Sequence, residues 1–265
     1  MNITSLNNIT PNDFSIYVHI PWCVHKCAYC DFNSHGLKNK SIKEFEEIYT
    51  QAIIDQVTSS HNSNDRIIPS IFFGGGTPSL FSPNSIEKIL LSISNKFTLK
   101  EDCEITLEAN PGTIDQNFFK GYKSIGINRI SLGIQSFNNK HLKSLERIHD
   151  SNQAISAALK AREIFNNINL DLMFALPNQV MSDLDNDIEQ ILSIEPDHIS
   201  YYHLTIEPNT MFHKFPPNQP SHDVSADMGD LIAHKLKNFN YQHYETSAYA
   251  KKNKAVSYKQ LTLTT

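Results

Sequence analysis

Three of the four cysteines of this 265-residue chain fall in the stretch "YVHIPWCVHKCAYCDF". Cys23, Cys27 and Cys30 follow the pattern C-x3-C-x2-C, and Cys103 lies far downstream. Thiolates gathered so closely are ligands for soft metals. A structural zinc ion asks for four ligands in a closed tetrahedron, and His19, His25 or His35 could supply the fourth. An iron–sulfur cluster is usually held by four cysteines. One held by three leaves an iron open to a small molecule. The spacing alone keeps both metals in play, and three unrelated buried thiols are the remaining alternative.

The elements that must position these thiols read as a strand–helix alternation. Strands are expected at Ile16–Ile20, Ser70–Phe73, Cys103–Ala109, Arg129–Gly133, Asn169–Met173 and His198–Tyr202. Helical patterns lie between them, from "SIKEFEEIYTQAIIDQV" to "MSDLDNDIEQILSIE", with Ser41, Ser82, Thr113, Ser151 and Ser182 as expected caps. Side chains of a strand alternate between two faces. In "CEITLEAN", Cys103, Ile105 and Leu107 oppose Glu104, Thr106 and Glu108; in "RISLGIQ", Ile130, Leu132 and Ile134 oppose Ser131, Gly133 and Gln135. In "NLDLM", Leu170 and Leu172 oppose Asn169, Asp171 and Met173, and in "IYVHI" the apolar set opposes Tyr17 and His19. A strand covered by helices on both faces would be apolar on both. One apolar and one polar face predict a six-stranded partial (β/α) barrel, with helices outside and a polar, ligand-binding lumen. Glu108, Gln135 and Asp171 then stand near the C-terminal strand ends, where barrel sites form. An antiparallel sheet with one wet face is the alternative, which the helix-length connections disfavour.

Bulk properties narrow the class. The chain is 40% hydrophobic and 19% charged, with net charge −5 and no long Lys/Arg run, so no nucleic-acid footprint is evident. No apolar run approaches a membrane span, and "MNITSLNNITPNDF" lacks the pattern of a secretion signal. The uneven cysteines argue against a disulfide framework, so a reducing, cytoplasmic location is expected. The expected organisation is an N-terminal arm over 1–15, a barrel over 16–204 and a Pro-rich linker with further elements over 205–265.

The C-x3-C-x2-C motif after a first strand resembles the radical S-adenosylmethionine (SAM) enzymes. Further stretches, "IFFGGGTPSLF", "TLEANPGT", "NRISLGIQSFN", "RIHD", "LDLMFALPNQ" and "YYHLTIEPNT", resemble the oxygen-independent coproporphyrinogen III oxidase group, and most closely its HemW-type heme-chaperone branch. The resemblance runs from about Tyr17 to Ala250. It implies a [4Fe–4S] cluster on Cys23, Cys27 and Cys30, with the amino and carboxylate groups of SAM on the fourth iron. It implies that one electron from the cluster cleaves SAM to methionine and a 5′-deoxyadenosyl radical. Phe32 occupies the position where true oxidases carry a further cysteine, which points to the chaperone branch.

Carried over motif by motif, the resemblance implies SAM contacts at Tyr17, Tyr29, Gly75, Gly76, Thr77, Glu108, Gln135, Arg147 and Asp171. Tyr17 would lie near the methionine, and the backbone of Tyr29 would face the adenine side. The glycine turn would offer free N–H and C=O groups to a zwitterion. The carboxylates suit the ammonium, sulfonium and ribose, and Arg147 suits the SAM carboxylate. Without the resemblance, the polar lumen could be a ligand-free network and Arg147 a solvated helix-end charge. Cys103 reads as a core thiol, and His203 and His213 as structural histidines. The implied partners are heme, a heme-accepting respiratory protein that would bring the chain to a membrane periphery, and an electron donor such as flavodoxin or ferredoxin. Family members carry a His-Asn-x-x-Tyr-Trp segment where this chain reads "KKNKAVSYKQLTLTT". The end is therefore expected to be truncated or frame-shifted, with heme binding weakened and "YETSAYA" left as a strand without following partners. Two rival functions remain: oxidative decarboxylation of coproporphyrinogen III to protoporphyrinogen IX, and a non-catalytic zinc module.

Overall fold

The structure is a computed structural model that describes residues 14–38, 40–60, 67–113 and 116–256. Its strands are β1 (Ile16–Ile20), β2 (Trp22–Cys23), β3 (His35–Gly36), β4 (Ile67–Gly75), β5 (Thr98–Ala109), β6 (Arg129–Gln135), β7 (Ile168–Phe174), β8 (His198–His203), β9 (Gln242–Glu245) and β10 (Ala248–Ala250). Its helices are α1 (Lys43–Ser59), α2 (Pro83–Lys96), α3 (Gln116–Ser124), α4 (Asn139–Ser144), α5 (Ser151–Ile164), α6 (Met181–Ile194), α7 (Met211–Lys214) and α8 (His222–Asn238). The main sheet runs β1-β4-β5-β6-β7-β8-β10-β9 and does not close on itself. Its first six strands are parallel, each reached through helical connections, as the alternation predicts for a partial barrel.

The two faces divide as the period-two pattern requires. Leu107, Ile130, Leu132, Ile134, Leu170 and Leu172 are buried outward. They share one core with Ile86, Ile89 and Ile93 of α2, Ala154, Ala158 and Ala161 of α5, and Ile188 and Ile191 of α6. Burying such side chains stabilises by roughly 1.5–3 kcal/mol each. The polar face is turned inward.

Three expectations are corrected. "YQHYETSAYA" is a hairpin rather than one strand, turning at Thr246–Ser247. Its second arm, β10, lies antiparallel on β8, with Ala248 opposite Ser200 and Ala250 opposite His198, so β8 has no bare edge. The stacking of His243 on Tyr249 at 4.4 Å and the Tyr201 N–H to Ser247 O bond of 2.7 Å hold the hairpin in place. The caps also shift. Ser82 caps α2 as expected, but Asp150 caps α5, because Asp150 and Gln153 bond each other's backbone amides. Val180 precedes α6 and α1 starts after Ile42; the turn that Thr113 is expected to cap falls at residues 114–115, outside the described residues. Finally, α4 stops at Ser144 instead of continuing through Ile148.

One buried acid ties a helix to the rim of the barrel. Asp187 on α6 accepts from the Ser136 hydroxyl and the Phe137 amide, both at 2.7 Å, so it fixes the turn directly after β6. Burial pushes its carboxyl up to about 6, partly offset by those two donors. Asp187→Ala should lower stability by about 2–4 kcal/mol, because two buried donors lose their acceptor. Asp187→Asn, which keeps an acceptor, should cost less. Denaturant unfolding of both variants checks this; equal stability of Asp187→Ala and the native chain would contradict it.

Candidate metal and cofactor site

The thiol loop is an excursion clamped at its base. β2 and β3 pair in parallel, with Trp22 opposite His35 and Cys23 opposite Gly36, so the chain returns to where it left. The base is locked by the Leu37 N–H to Cys23 O bond at 2.9 Å and the His35 N–H to Pro21 O bond at 2.7 Å. Trp22 stacks on Phe45 and Phe81 and meets Tyr49 edge-on, which anchors the loop to α1 and to the turn after β4. His19 Nε2 donates to Asn33 O at 2.8 Å, and Lys26 Nζ holds the Phe32 and Ser34 carbonyls. From the far side, Ala28 and Tyr29 pack with Leu145, Met173, Leu204 and Phe212, and the Phe212 amide donates to Ala28 O at 3.0 Å.

The clamp presents Cys23, Cys27 and Cys30 to a cavity of about 350 Å³ at the C-terminal strand ends. That volume is within the usual range for small-molecule sites. The thiols are free, and Cys30 Sγ lies 3.9 Å from the Ser34 hydroxyl. Burial pushes the Cys23 thiol up, tempered by hydrogen bonds from Thr77 and Ser34. Cys103 is a buried member of the helix-side core, and burial pushes its thiol up to about 11.

The same cavity is lined by Tyr29, Gly75, Gly76 and Thr77, and by Glu108, Gln135, Arg147 and Asp171. Tyr17 is the exception. It stands 44% exposed on the inner face of β1, stacked on Phe72, outside the cavity lining. The glycines differ in use from the sequence-based expectation. Gly75 has φ +120°, and a Cβ there would meet the His19 ring at 2.7 Å. A Cβ on Gly76 would lie 2.6 Å from Trp22 O, which is backbone and cannot yield. Their amides are also committed, Gly75 N–H to Glu108 Oε2 at 3.2 Å and Gly76 N–H to Ile20 O at 2.8 Å. The turn needs glycine to pack β4 against β1 and the thiol loop; its amides are not free for a zwitterion.

Charge in the cavity is of both signs. Glu108 and Asp171 face it together. Burial pushes the Glu108 carboxyl up to about 8, with the Asp171 charge adding to the rise; the Gly75 amide and the Arg129 charge oppose it. Asp171 Oδ2 accepts from Ser131 and Oδ1 from Asn169, at 2.7 and 2.8 Å. Arg147 donates through one Nη to Gly133 O at 2.7 Å and through the other to Cys27 Sγ at 3.5 Å. Its buried Nε has no acceptor among the described residues. Its electrostatic neighbours are Tyr29 and Cys27, not a carboxylate. Arg147 thus is not the solvated helix-end charge it resembles in isolation. Glu146, at φ +55°, ends the helical path early and turns Arg147 back to the cavity. Gln135 at φ +69° and Ala175 at φ +57° are also left-handed, a conformation that costs non-glycine residues about 1 kcal/mol or more and collects at functional sites.

Two of the histidines that could complete a zinc site are engaged otherwise. His19 holds Asn33 O and lies 3.3 Å from the Tyr17 hydroxyl, while His25 pairs with Glu146 at 3.0 Å. His35 sits in β3 at the base of the loop. The structure adds lining residues that sequence reasoning left unassigned, among them Asn110, Met173, Tyr202 and Glu207. Tyr202 could have been found: in "HISYYH", His198, Ser200 and Tyr202 share the inner face by the same alternation that revealed Asp171.

Among the described residues no three metal-ligating side chains are already gathered round one point, but the three-cysteine loop, an arginine donor without an acceptor and two crowded carboxylates line one cavity. Comparison with known proteins narrows the class. The Radical SAM superfamily model matches residues 17–191. The chain is 49% identical over 243 residues to the heme chaperone HemW of Haemophilus influenzae, covering 89% of this chain and 63% of that protein. It is 43% identical over 239 residues to the HemW of Escherichia coli, covering 89% of this chain and 62% of that protein. The fold is similar to that of the coproporphyrinogen III oxidase HemN of Escherichia coli, a radical SAM enzyme, with TM-score 0.80 at 24% identity over 90% of this chain and 56% of that one. The chain spans somewhat less than two thirds of the HemW proteins it matches. A three-cysteine loop after β1, a partial barrel and a match over most of its length lead to one conclusion: the chain belongs to the radical SAM superfamily.

Proposed function

We propose that the cavity holds a [4Fe–4S] cluster on Cys23, Cys27 and Cys30 with SAM beside it, and that the protein is a heme chaperone delivering heme to respiratory hemoproteins. The observation that carries the cofactor reading is the charge arrangement: two carboxylates and one arginine, without mutual pairing, converge on the cavity that the thiols face. SAM carries an ammonium and a sulfonium for the carboxylates and a carboxylate for Arg147. When bound, the cluster supplies one electron for cleavage of SAM. Glu108 and Asp171 orient the cationic parts, Gln135 stands at the bulged end of β6 beside them, and Thr77 and Tyr29 close the walls. Tyr17, stacked on Phe72 outside the cavity lining, is assigned to SAM by the resemblance alone.

The heme reading rests on the HemW relatives and on the sequence resemblance. It brings heme and a heme-accepting respiratory protein as partners, an electron donor such as flavodoxin or ferredoxin, and a cytoplasmic setting with peripheral contact to a membrane. No helix among the described residues is long and apolar enough to cross a membrane. Likeness to the HemN fold favours oxidase activity as a second reading. Against it, Phe32, 61% exposed at the cavity wall, stands where the oxidase branch has a cysteine.

Anaerobic reconstitution should load about four irons per chain, and serine at Cys23, Cys27 or Cys30 should abolish the cluster while Cys103→Ser keeps it. A tightly held zinc without iron uptake would contradict the proposal in favour of a zinc module. In calorimetric titrations, Glu108→Gln and Asp171→Asn should each weaken SAM binding by roughly ten- to a hundredfold with the cluster retained, the worth of one charged hydrogen bond. Unchanged affinity in both would mean that the lumen does not hold SAM. With SAM and reductant under anaerobic conditions, coproporphyrinogen III should remain unconverted; formation of protoporphyrinogen would establish the second reading.

A further inference from the structure

Below Asp171 the lumen contains a row of hydrogen bonds that ends on the C-terminal hairpin. Asn169 Nδ2 donates to Asp171 Oδ1 at 2.8 Å and to Ser131 Oγ at 2.7 Å, and Ser131 in turn donates to Asp171 Oδ2. Asn169 Oδ1 meets His198 Nδ1 at 2.6 Å and the Ser200 hydroxyl at 3.2 Å. His198 Nε2 meets the Tyr244 hydroxyl at 2.6 Å, and the Val256 amide donates to that hydroxyl at 3.2 Å. Asn169, Ser131, Ser200 and His198 are all buried, whereas Tyr244 belongs to β9.

The direction of the row follows from its inner end. Both Asp171 oxygens accept, one from the Ser131 hydroxyl and one from the Asn169 amide group, so the Asn169 amide nitrogen faces Asp171. Its carbonyl oxygen therefore faces His198, and His198 Nδ1 must carry a proton. The other ring nitrogen is left to the Tyr244 hydroxyl. Side-chain amides and imidazoles can flip, but here each orientation is set by the next. Removing the outermost member frees His198, then Asn169, and so loosens the carboxylate itself.

We propose that Tyr244, on the hairpin, is a positioning residue for the SAM site: through His198 and Asn169 it fixes the carboxylate of Asp171. The inference rests on the assignment of Asp171 to SAM made above. It couples the segment that follows the barrel to the cofactor cavity, so whatever loads or displaces the hairpin changes SAM affinity. Polar rows in a low-dielectric interior are well suited to this, since a partly satisfied network is costly.

The test titrates SAM into the anaerobically reconstituted 265-residue chain and compares Tyr244→Phe, His198→Phe and the double variant with the native protein. Tyr244→Phe and His198→Phe should each weaken SAM binding by about five- to tenfold, the loss of one neutral hydrogen bond felt at Asp171. Because Tyr244 acts only through His198, the double variant should bind SAM no more weakly than His198→Phe alone. In ¹⁵N-histidine spectra His198 should carry its proton on Nδ1, and its signal should move when SAM is added. A merely structural role would move none of these in this pattern. Native affinity in Tyr244→Phe, or additive weakening in the double variant, overturns the inference while leaving the SAM site intact. Failure of the native protein to bind SAM overturns the cofactor assignment, and this inference with it.

Discussion

Two carboxylates sharing one buried cavity set the terms for the rest of this structure. Burial pushes the Glu108 carboxyl up to about 8, and the nearby Asp171 charge adds to the rise. Asp171, held by Ser131 and Asn169, keeps its acceptors engaged. A fold that only needed a stable core would have filled these inward positions with apolar side chains. On the proposed reading the lumen is built for a cationic ligand, and its acids become fully compatible with one another only when that ligand is present.

The thiol loop and Arg147 supply the complementary half. The loop is held from below by Trp22, His19 and the β2–β3 pair, and from the side by the apolar cluster around Phe212. The protein's own contacts therefore fix the loop's position. Arg147 reaches the cavity because Glu146 adopts a left-handed turn, and it ends beside Cys27 with an unused donor. The glycine turn contributes close packing rather than free amides, and its rigidity places the Gly75 amide on Glu108. The thiols, a positive arginine and two acids thus line one space.

The six parallel strands and the inward placement of Glu108, Gln135 and Asp171 were legible because period-two alternation survives in each strand, and the cysteine spacing was legible because it is local. What was not legible depends on long-range geometry. The α5 cap is the exception, since Gln153 three residues after Asp150 is a local capping-box signal that favours Asp150 over Ser151. The hairpin in "YQHYETSAYA" was missed because its turn, Thr246–Ser247, lacks glycine or asparagine. The commitment of the Gly75 and Gly76 amides depends on where β1 and β5 lie. Arg147 looked like a helix-end charge because a left-handed Glu146 carries no sequence signal. Tyr202 and the His198–Asn169 contact were readable in part, by alternation, but their partner on the hairpin was not.

The central claim is that Glu108 and Asp171 await a cation. The most direct measurement is a ¹³C-carboxyl titration of Glu108 in the reconstituted protein, with and without saturating SAM. Without ligand, Glu108 should titrate near 8, well above an ordinary glutamate. Because that carboxyl is raised, it is mostly protonated at neutral pH when free, and a bound cation should hold it ionised there. With SAM the signal should therefore be that of a carboxylate throughout the neutral range. An ordinary acidic titration of Glu108 in the free protein, or a titration that SAM leaves unchanged, would contradict the account.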